Sequence, residues 1–154
     1  MIEPNLLRGE SADDEARGIA LCRTGDWDRG VSLLARCAAE GVRLSSHGFS
    51  YLGYGLAHRR RQVREGLRLC DHAVKLEFYQ PDNQLNLART LVLAGDRRRA
   101  MEAVRRGLAI DREHTELRAL AEQLGERRPP VLGFLSRGHF LNVLLGRIRH
   151  AIKS

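Results

Sequence analysis

The residues of this 154-residue sequence that could do chemistry are its histidines, its cysteines and one run of acids. The six histidines share no ligand spacing and stand at His47, His58, His72, His114, His139 and His150. An H-E-x-x-H arrangement would place two of them on one metal ion, and the sequence contains none. It also has no Walker-type glycine loop and no G-x-S-x-G motif. We therefore predict no metal, no cofactor and no catalytic residue, and we expect that the protein is not an enzyme.

The three cysteines, Cys22, Cys37 and Cys70, are odd in number and contain no C-x-x-C pair. This argues against both a disulfide framework and a zinc site. Each cysteine falls within a predicted helix among small or apolar neighbours, where a free cysteine packs as a small hydrophobe.

A series of helices is predicted to position these residues. The first is expected over 11–24, with Ser11 as its N-cap and the acids Asp13–Glu15 at the positive end of its dipole, which is the simpler explanation of that acidic run. Further helices are predicted from Trp27 to about Ala39, from Ser45 or Ser46 to a turn at 58–61, from about Val63 to Leu76, from just after Pro81-Asp82 to a turn at 95–96, from that turn to Ile110, and from about Thr115 to Leu124.

The sequence repeats itself every 35 residues. Three registers share this step: Gly18, Gly53 and Ala88; Leu21, Leu56 and Leu91; Leu34, Leu69 and Val104. Because the third register lies beyond a single helix, the repeating unit is a pair of helices. Repeats of this length stack side by side and bury their apolar faces against one another.

These units resemble the tetratricopeptide repeat. The third copy carries the small and turn residues of that pattern at Leu87, Ala88, Leu91, Gly95, Asp96, Ala100 and Gly107, and the first copy carries them at Gly18, Leu21, Gly25, Asp26, Trp27, Gly30 and Cys37. The resemblance implies an all-α fold, a right-handed α-solenoid of about three helix pairs with a C-terminal capping helix and a further amphipathic helix. It divides the chain into an extension (1–10), a repeat domain (11–126, with repeats at about 11–44, 46–80 and 81–114 and a capping helix at 115–124) and a C-terminal arm (127–154).

The second copy departs from the pattern. Its turn is rich in arginine, and Glu65 stands where a small residue is expected unless one extra turn residue makes Gly66 the counterpart. A rival interpretation is the pentatricopeptide repeat, which also has 35 residues and binds single-stranded RNA. The Gly-Asp turns favour the tetratricopeptide kind.

In the tetratricopeptide family the first helix of each unit lines a groove for partners. The resemblance assigns to this groove Ile19, Cys22, Arg23, Tyr54, His58, Leu85, Arg89 and Val92. Family members that clamp the C-terminal carboxylate of chaperones use Lys and Asn where this chain has Glu15 and Ile19, so that role is disfavoured.

The arm that follows Pro129-Pro130 contains no acidic residue. Its apolar and basic residues alternate with helical spacing and form a second candidate binding site: Phe134, Phe140, Leu141, Leu144, Leu145, Arg147, Ile148 and Arg149. Such a helix could dock on a protein, on an anionic membrane surface or, least favoured, on nucleic acid.

Net charge and hydropathy indicate the kind of host and the cellular location. The formal net charge is +7, and only two of the 26 basic residues are lysines, a bias typical of GC-rich bacterial genomes. No apolar run reaches the length of about 18 residues that a membrane span needs, and the acidic N-terminus is unlike a secretory signal. We expect a cytoplasmic location, with peripheral association with the inner membrane as the variant.

The expected function is therefore binding without catalysis. We predict an adaptor or assembly factor that holds a protein partner in its repeat groove and is anchored to a larger complex by its basic arm. A membrane-surface or secretion-chaperone-like protein and an RNA-binding repeat are the alternatives.

Overall fold

The structure is a computed structural model that describes the backbone of residues 4–125 and the side chains of residues 13–125. Within residues 4–125 every regular element is an α-helix. The helices are α1 (Pro4–Arg23), α2 (Trp27–Ala39), α3 (Ser46–Arg60), α4 (Val63–Leu76), α5 (Pro81–Leu93), α6 (Arg97–Ile110) and α7 (Thr115–Gly125). They pack as three successive pairs, α1–α2, α3–α4 and α5–α6, and the prediction of an all-α helical repeat is confirmed.

Side-chain caps fix where the predicted helices begin. Ser45 accepts a hydrogen bond from the Gly48 amide at 3.1 Å through its hydroxyl oxygen, so it is the N-cap of α3. Asp26 caps α2, and Asp96 caps α6 by accepting from the Arg99 amide at 3.0 Å. Each cap satisfies an amide that has no partner within its own helix.

The predicted start of the first helix is wrong, because α1 begins at Pro4 and not at Ser11. Proline suits the first helical position, where its fixed φ is favourable and an N–H is not needed. Asp13–Glu15 therefore lie inside α1, away from the positive end of its dipole. Two of these acidic side chains, Asp14 and Glu15, instead contact neighbouring elements.

Two of these acids make defined contacts across the first helix pair. Asp14 pairs with Arg36 of α2 at 2.7 Å. Glu15 Oε1 accepts from the Ser45 amide at 2.8 Å and from the Ser45 hydroxyl at 2.5 Å, immediately before α3. The acidic run thus ties α1 to the next two helices.

Apolar side chains between the helices form two core clusters. One joins α1, α2, α3 and Leu69 of α4, and the other joins Cys70 with α5, α6 and α7. The three cysteines are free and at most 1% exposed, which confirms that they pack as small hydrophobes. Burial raises the pKa of the Cys22 and Cys70 thiols to about 12, so neither is a thiolate at neutral pH.

Small residues allow the two helices of each pair to cross closely. A Cβ atom on Gly30 would lie 2.8 Å from the Gly18 carbonyl oxygen, and one on Gly66 would lie 2.5 Å from the Gly53 carbonyl oxygen. The third pair has Ala88 and the fully buried Ala100 in the same places in sequence. Gly66, and not Glu65, is therefore the small residue of the second copy, whose turn carries one extra residue.

Because of this extra residue, the predicted alignment of Leu34 with Leu69 and Val104 is wrong by one position in the second copy. Leu34 packs over Gly18, since a Cβ there would lie 2.9 Å from its Cγ atom. At Gly53 the neighbour is the Cys70 sulfur, at 2.8 Å from such a Cβ. Cys70, and not Leu69, is thus the structural counterpart of Leu34.

The turns within the three pairs share one left-handed residue. It is Gly25 in the first turn (φ 92°), Gly95 in the third (φ 78°) and Arg61 in the second (φ 58°). A side chain in this region is strained by the contact between its Cβ atom and the carbonyl oxygen. The other two repeats have glycine at the position that Arg61 occupies in the second.

Replacing Gly66 with alanine tests the helix crossing. The new methyl group would meet the Gly53 backbone, so we expect Gly66→Ala to lower the free energy of unfolding by about 1–3 kcal/mol. Urea denaturation followed by circular dichroism measures this. Glu65→Ala is the matched control and should change stability by less than about 0.5 kcal/mol; a larger loss at Glu65 than at Gly66 would restore the other register.

Replacing Arg61 with glycine tests the strained turn. Removing the Cβ contact relieves about 1–2 kcal/mol of left-handed strain, against about 0.5–1 kcal/mol of extra chain entropy. We expect Arg61→Gly to raise the free energy of unfolding by about 0.5–1 kcal/mol. The reciprocal change Gly95→Arg, which has no neighbour within 4 Å to clash with, should lower it.

Candidate functional site

Residues from five of the helices line an open cavity of about 280 Å³. We call it the groove pocket, and its lining residues are Cys22, Arg23, Gly25, Trp27, Tyr51, Tyr54, Arg89 and Glu116. Four of these, Cys22, Arg23, Tyr54 and Arg89, belong to the groove that the sequence predicts. Cys22 is only 1% exposed, so its side chain lies behind the pocket wall as part of the core. The first helices α1, α3 and α5 therefore bring part of the predicted set together.

The other predicted groove residues lie elsewhere. His58 is exposed and stacks on Tyr54 with ring centroids 5.4 Å apart, at the rim of the pocket. Ile19 lines a neighbouring shallow hollow that shares Arg23, and Val92 is 40% exposed outside the pocket. Leu85 is 1% exposed, so its side chain belongs to the core and is not available to a partner.

Aromatic rings form one wall of the groove pocket. The ring of Trp27 lies 5.0 Å from that of Tyr54 in an edge-to-face arrangement and 6.1 Å from that of Tyr51 in a stacked one. Both geometries are favourable between aromatic rings. Because Tyr51 precedes Tyr54 by three residues, both rings project from one face of α3.

Each arginine of the pocket lies over a tyrosine ring and is paired with an acid. The Arg23 guanidinium lies 5.5 Å from the Tyr51 centroid and pairs with Asp82 at 2.6 Å. The Arg89 guanidinium lies 5.5 Å from the Tyr54 centroid and pairs with Glu116 at 3.0 Å. The rings hold the arginines by cation–π contact, and the four charges balance.

Asp82 joins several elements beside the pocket. Its carboxylate accepts from Arg23 and from the Tyr51 hydroxyl, and it contacts His114 Nε2 at 3.0 Å. Burial raises the pKa of Asp82, but the hydrogen bonds from His114 and Arg23 lower it further than burial raises it, so that the net pKa lies below its usual range. Asp82 is therefore ionised at neutral pH and links α1, α3, α5 and the start of α7.

The two tyrosine hydroxyls stay protonated in this setting. Burial raises the pKa of Tyr51 and of Tyr54 above the ordinary value, although Arg23 and Arg89 act in the opposite direction. The pocket thus offers neutral aromatic faces, phenol hydroxyls and two positioned guanidinium groups. These groups can bind a side chain of a partner by packing and hydrogen bonding.

Two further observations concern the described part of the chain. Among the described side chains, those of residues 13–125, there is no group of three His, Cys, Asp or Glu that could hold a metal ion. None of the helices described there is both long enough and apolar enough to cross a membrane.

Sequence analysis missed Trp27, Tyr51 and Glu116 as pocket residues. Trp27 opens a second helix of a pair, whereas the family pattern directs attention to first helices. The i, i+3 spacing of Tyr51 and Tyr54 was a signal that could have found the second ring. The predicted arm site, from Phe134 to Arg149, lies outside the described residues.

Comparisons with known proteins agree on the fold. No family model and no curated sequence matches the chain. Solved structures do: the OM64 tetratricopeptide domain from Arabidopsis is 10% identical, covers 75% of this chain and 94% of that one, and has a TM-score of 0.62. The Sgt2 domain from Aspergillus fumigatus is 11% identical, covers 84% and 92%, and also has a TM-score of 0.62.

The second tetratricopeptide domain of human RPAP3, solved in complex with an HSP70 peptide, is 14% identical, covers 78% and 99%, and has a TM-score of 0.61. These identities are low, so the similarity establishes the fold and not a shared ligand. The chain has the fold of a tetratricopeptide repeat domain, as its sequence predicts.

Replacing Asp82 with asparagine tests the contacts that this carboxylate makes beside the pocket. Because the folded pKa of Asp82 lies below the unfolded value of about 3.9, the carboxylate stabilises the fold above that value, and this contribution is lost as pH falls through the folded pKa. Asp82→Asn should therefore destabilise the protein most near pH 6 to 7, and the difference from the parent should shrink below about pH 4. Thermal unfolding across this range measures it.

Asp13→Asn is the control, since the Asp13 side chain is exposed and makes no hydrogen bond or ion pair with residues 13–125. A difference at Asp82 that does not change with pH would contradict the assignment.

Proposed function

We propose that the protein is a non-catalytic adaptor or assembly factor that holds a segment of a partner protein in the groove pocket. One observation carries this proposal: an open cavity on a helical repeat is lined by three aromatic rings and two arginines. The residues that line it do not form a catalytic or metal-binding cluster. The fold supports it as well, because stacked helical repeats use their extended surfaces to bind other macromolecules. The RPAP3 domain, which has this fold, is bound to a peptide.

The pocket favours a partner segment with an apolar or aromatic anchor. Trp27 and Tyr54 present ring faces and edges that pack well against such a side chain. Large rigid rings are also the residues that concentrate binding energy at interfaces.

An acidic group beside that anchor fits the pocket too. Glu116, the partner of Arg89, is 58% exposed at its side chain. A carboxylate of the partner can replace Glu116 on the guanidinium without leaving a buried charge unpaired. The Arg23 side chain is 53% exposed, but its ion pair is harder to exchange, because its partner Asp82 is only 20% exposed and is held by other groups as well.

The chain differs from a clamp for a terminal carboxylate. Glu15 stands at one clamp position, and its carboxylate is already bonded to Ser45. A negative charge fixed there repels a second carboxylate. We therefore propose an internal acidic and aromatic segment as the ligand.

The basic arm adds a second contact in this proposal. Two linked contacts to one partner raise the effective concentration of the second, so that overall affinity exceeds that of either alone. Deleting residues 127–154 should weaken binding to the assembled partner and leave binding of a short groove peptide unchanged.

Selection of short peptides against the full chain tests the groove. Trp27 is the only tryptophan of the chain and lies in the pocket, so its fluorescence should change on titration with a selected peptide. We expect Tyr54→Ala to weaken binding by about tenfold or more, because an anchoring ring contributes more than about 1 kcal/mol.

Tyr79→Ala is the matched control, since Tyr79 is 80% exposed and does not line the pocket. Peptides that bind both variants with the same affinity, or that leave Trp27 fluorescence unchanged, would refute binding in the groove pocket.

A further inference from the structure

The described repeats separate their charges onto two opposite edges. We call the three turns within the helix pairs, residues 24–29, 59–64 and 94–99, the turn edge. These segments hold eight basic and three acidic residues. Arg59, at the second turn, pairs with Asp28, at the first, at 2.6 Å, which places these turns side by side.

The connections between pairs, residues 40–45, 77–82 and 111–116, form the loop edge. Segments of the same length here hold two basic and six acidic residues. The formal net charges are therefore +5 at the turn edge and −4 at the loop edge. A net charge for the whole chain conceals this separation.

The two edges act independently on a charged partner. Helices α3 and α4 have 15 and 14 residues, so about 20 Å separates the edges. At physiological ionic strength the Debye length is about 8 Å. The acidic loop edge therefore does not cancel the field in front of the turn edge.

Three arginines at the centre of the turn edge form no ion pair among the described residues. The side chains of Arg61 and Arg64 are exposed and make no hydrogen bond there. Arg60 donates to the Ser32 hydroxyl at 3.4 Å and interacts with Asp28 only through its charge. Arg61 also keeps the left-handed backbone at a position where the other two turns have glycine. Because a strained backbone is often kept for function, the left-handed backbone of the exposed Arg61 indicates a candidate functional position.

The neighbouring side chains favour a lipid surface over a nucleic-acid strand. Val92 and Leu93, directly before the third turn, are 40% and 45% exposed. The exposed aromatic side chains Phe78 and Tyr79, which could stack on bases, lie at the loop edge instead. Trp27, at the first turn, has its ring engaged with Tyr51 and Tyr54. Basic and aliphatic side chains together are typical of surfaces that lie on anionic membranes.

We propose that the turn edge docks on an anionic lipid bilayer through Arg60, Arg61 and Arg64, with Val92 and Leu93 at the contact. This goes beyond the proposed adaptor function, because the groove pocket is not used. The docked protein would present its acidic loop edge away from the membrane.

Vesicle binding by the full chain tests the proposal. The probes are phosphatidylcholine vesicles with and without phosphatidylglycerol. We expect binding only to the anionic vesicles, with release at 1 M salt, where the Debye length is about 3 Å. Each arginine near an anionic surface strengthens binding roughly fivefold, so the triple variant Arg60→Gln, Arg61→Gln, Arg64→Gln should bind about 100-fold more weakly.

A control triple with the same change in charge is Arg43→Gln, Arg105→Gln, Arg112→Gln. These arginines are also exposed and also have no acidic partner in the part of the chain that the structure describes. The basic arm is present in both variants, so its own contribution is the same in each. The control should bind within about threefold of the parent, since it lies away from the docked edge.

Four results would overturn the proposal: no binding to anionic vesicles, equal losses in the two triples, a loss that accompanies unfolding in circular dichroism, or duplex RNA or DNA that binds at the turn edge more tightly than vesicles do. Tyr54→Ala should leave vesicle binding intact. The two proposals can therefore fail separately.

Discussion

Close approach of paired helices is the constraint on which this structure depends. The backbones of Gly30 and Gly66 lie directly against the backbones of Gly18 and Gly53, at distances that no side chain would permit. Helices that cross so closely can bury short side chains such as cysteine and alanine between them. Longer side chains such as Trp27 and Tyr54 join one pair to the next. The groove pocket is a product of this division, because its rings and arginines occupy the space between pairs and not the space within them.

Polar contacts fix how successive pairs are placed. Asp82 is held by groups from α1 and α3 and by His114, and Glu15 holds the residue that caps α3. Glu15 accepts from the backbone amide of Ser45 just before α3, where the backbone has no helical partner of its own. Asp82 accepts from side chains, and its ion pair with Arg23 keeps that guanidinium over Tyr51. The pocket is therefore preorganised by the same contacts that stabilise the stacking, and a ligand need not order it.

Much of the fold could be predicted from sequence, because turn residues and the spacing of apolar residues determine locally where each helix of a pair begins and ends. The bounds of α2 and α4 follow from turn residues and apolar spacing, and the structure has them at the predicted residues. The start of α1 could not be predicted, since Ser11 is as good a local cap as Pro4 is a first residue, and only the folded chain decides between them. The pocket was predicted in part for a similar reason. Tyr54 and Arg89 follow from the repeat pattern, whereas Trp27 reaches the pocket only through the packing of one pair on another.

The extra residue in the second turn shows how turn length controls packing. An α-helix rotates by about 100° for each residue, so if the second turn had the length of the other two with the sequence unchanged, Glu65 would face α3 in place of Gly66. The face that carries Cys70 and Ala73 would then rotate toward solvent. Because the turn absorbs the extra residue, α4 keeps the same face toward α3, and its residues stand one position later in the sequence than their counterparts in the other repeats. A glycine or cysteine that looks displaced by one position in such a repeat is the record of that adjustment.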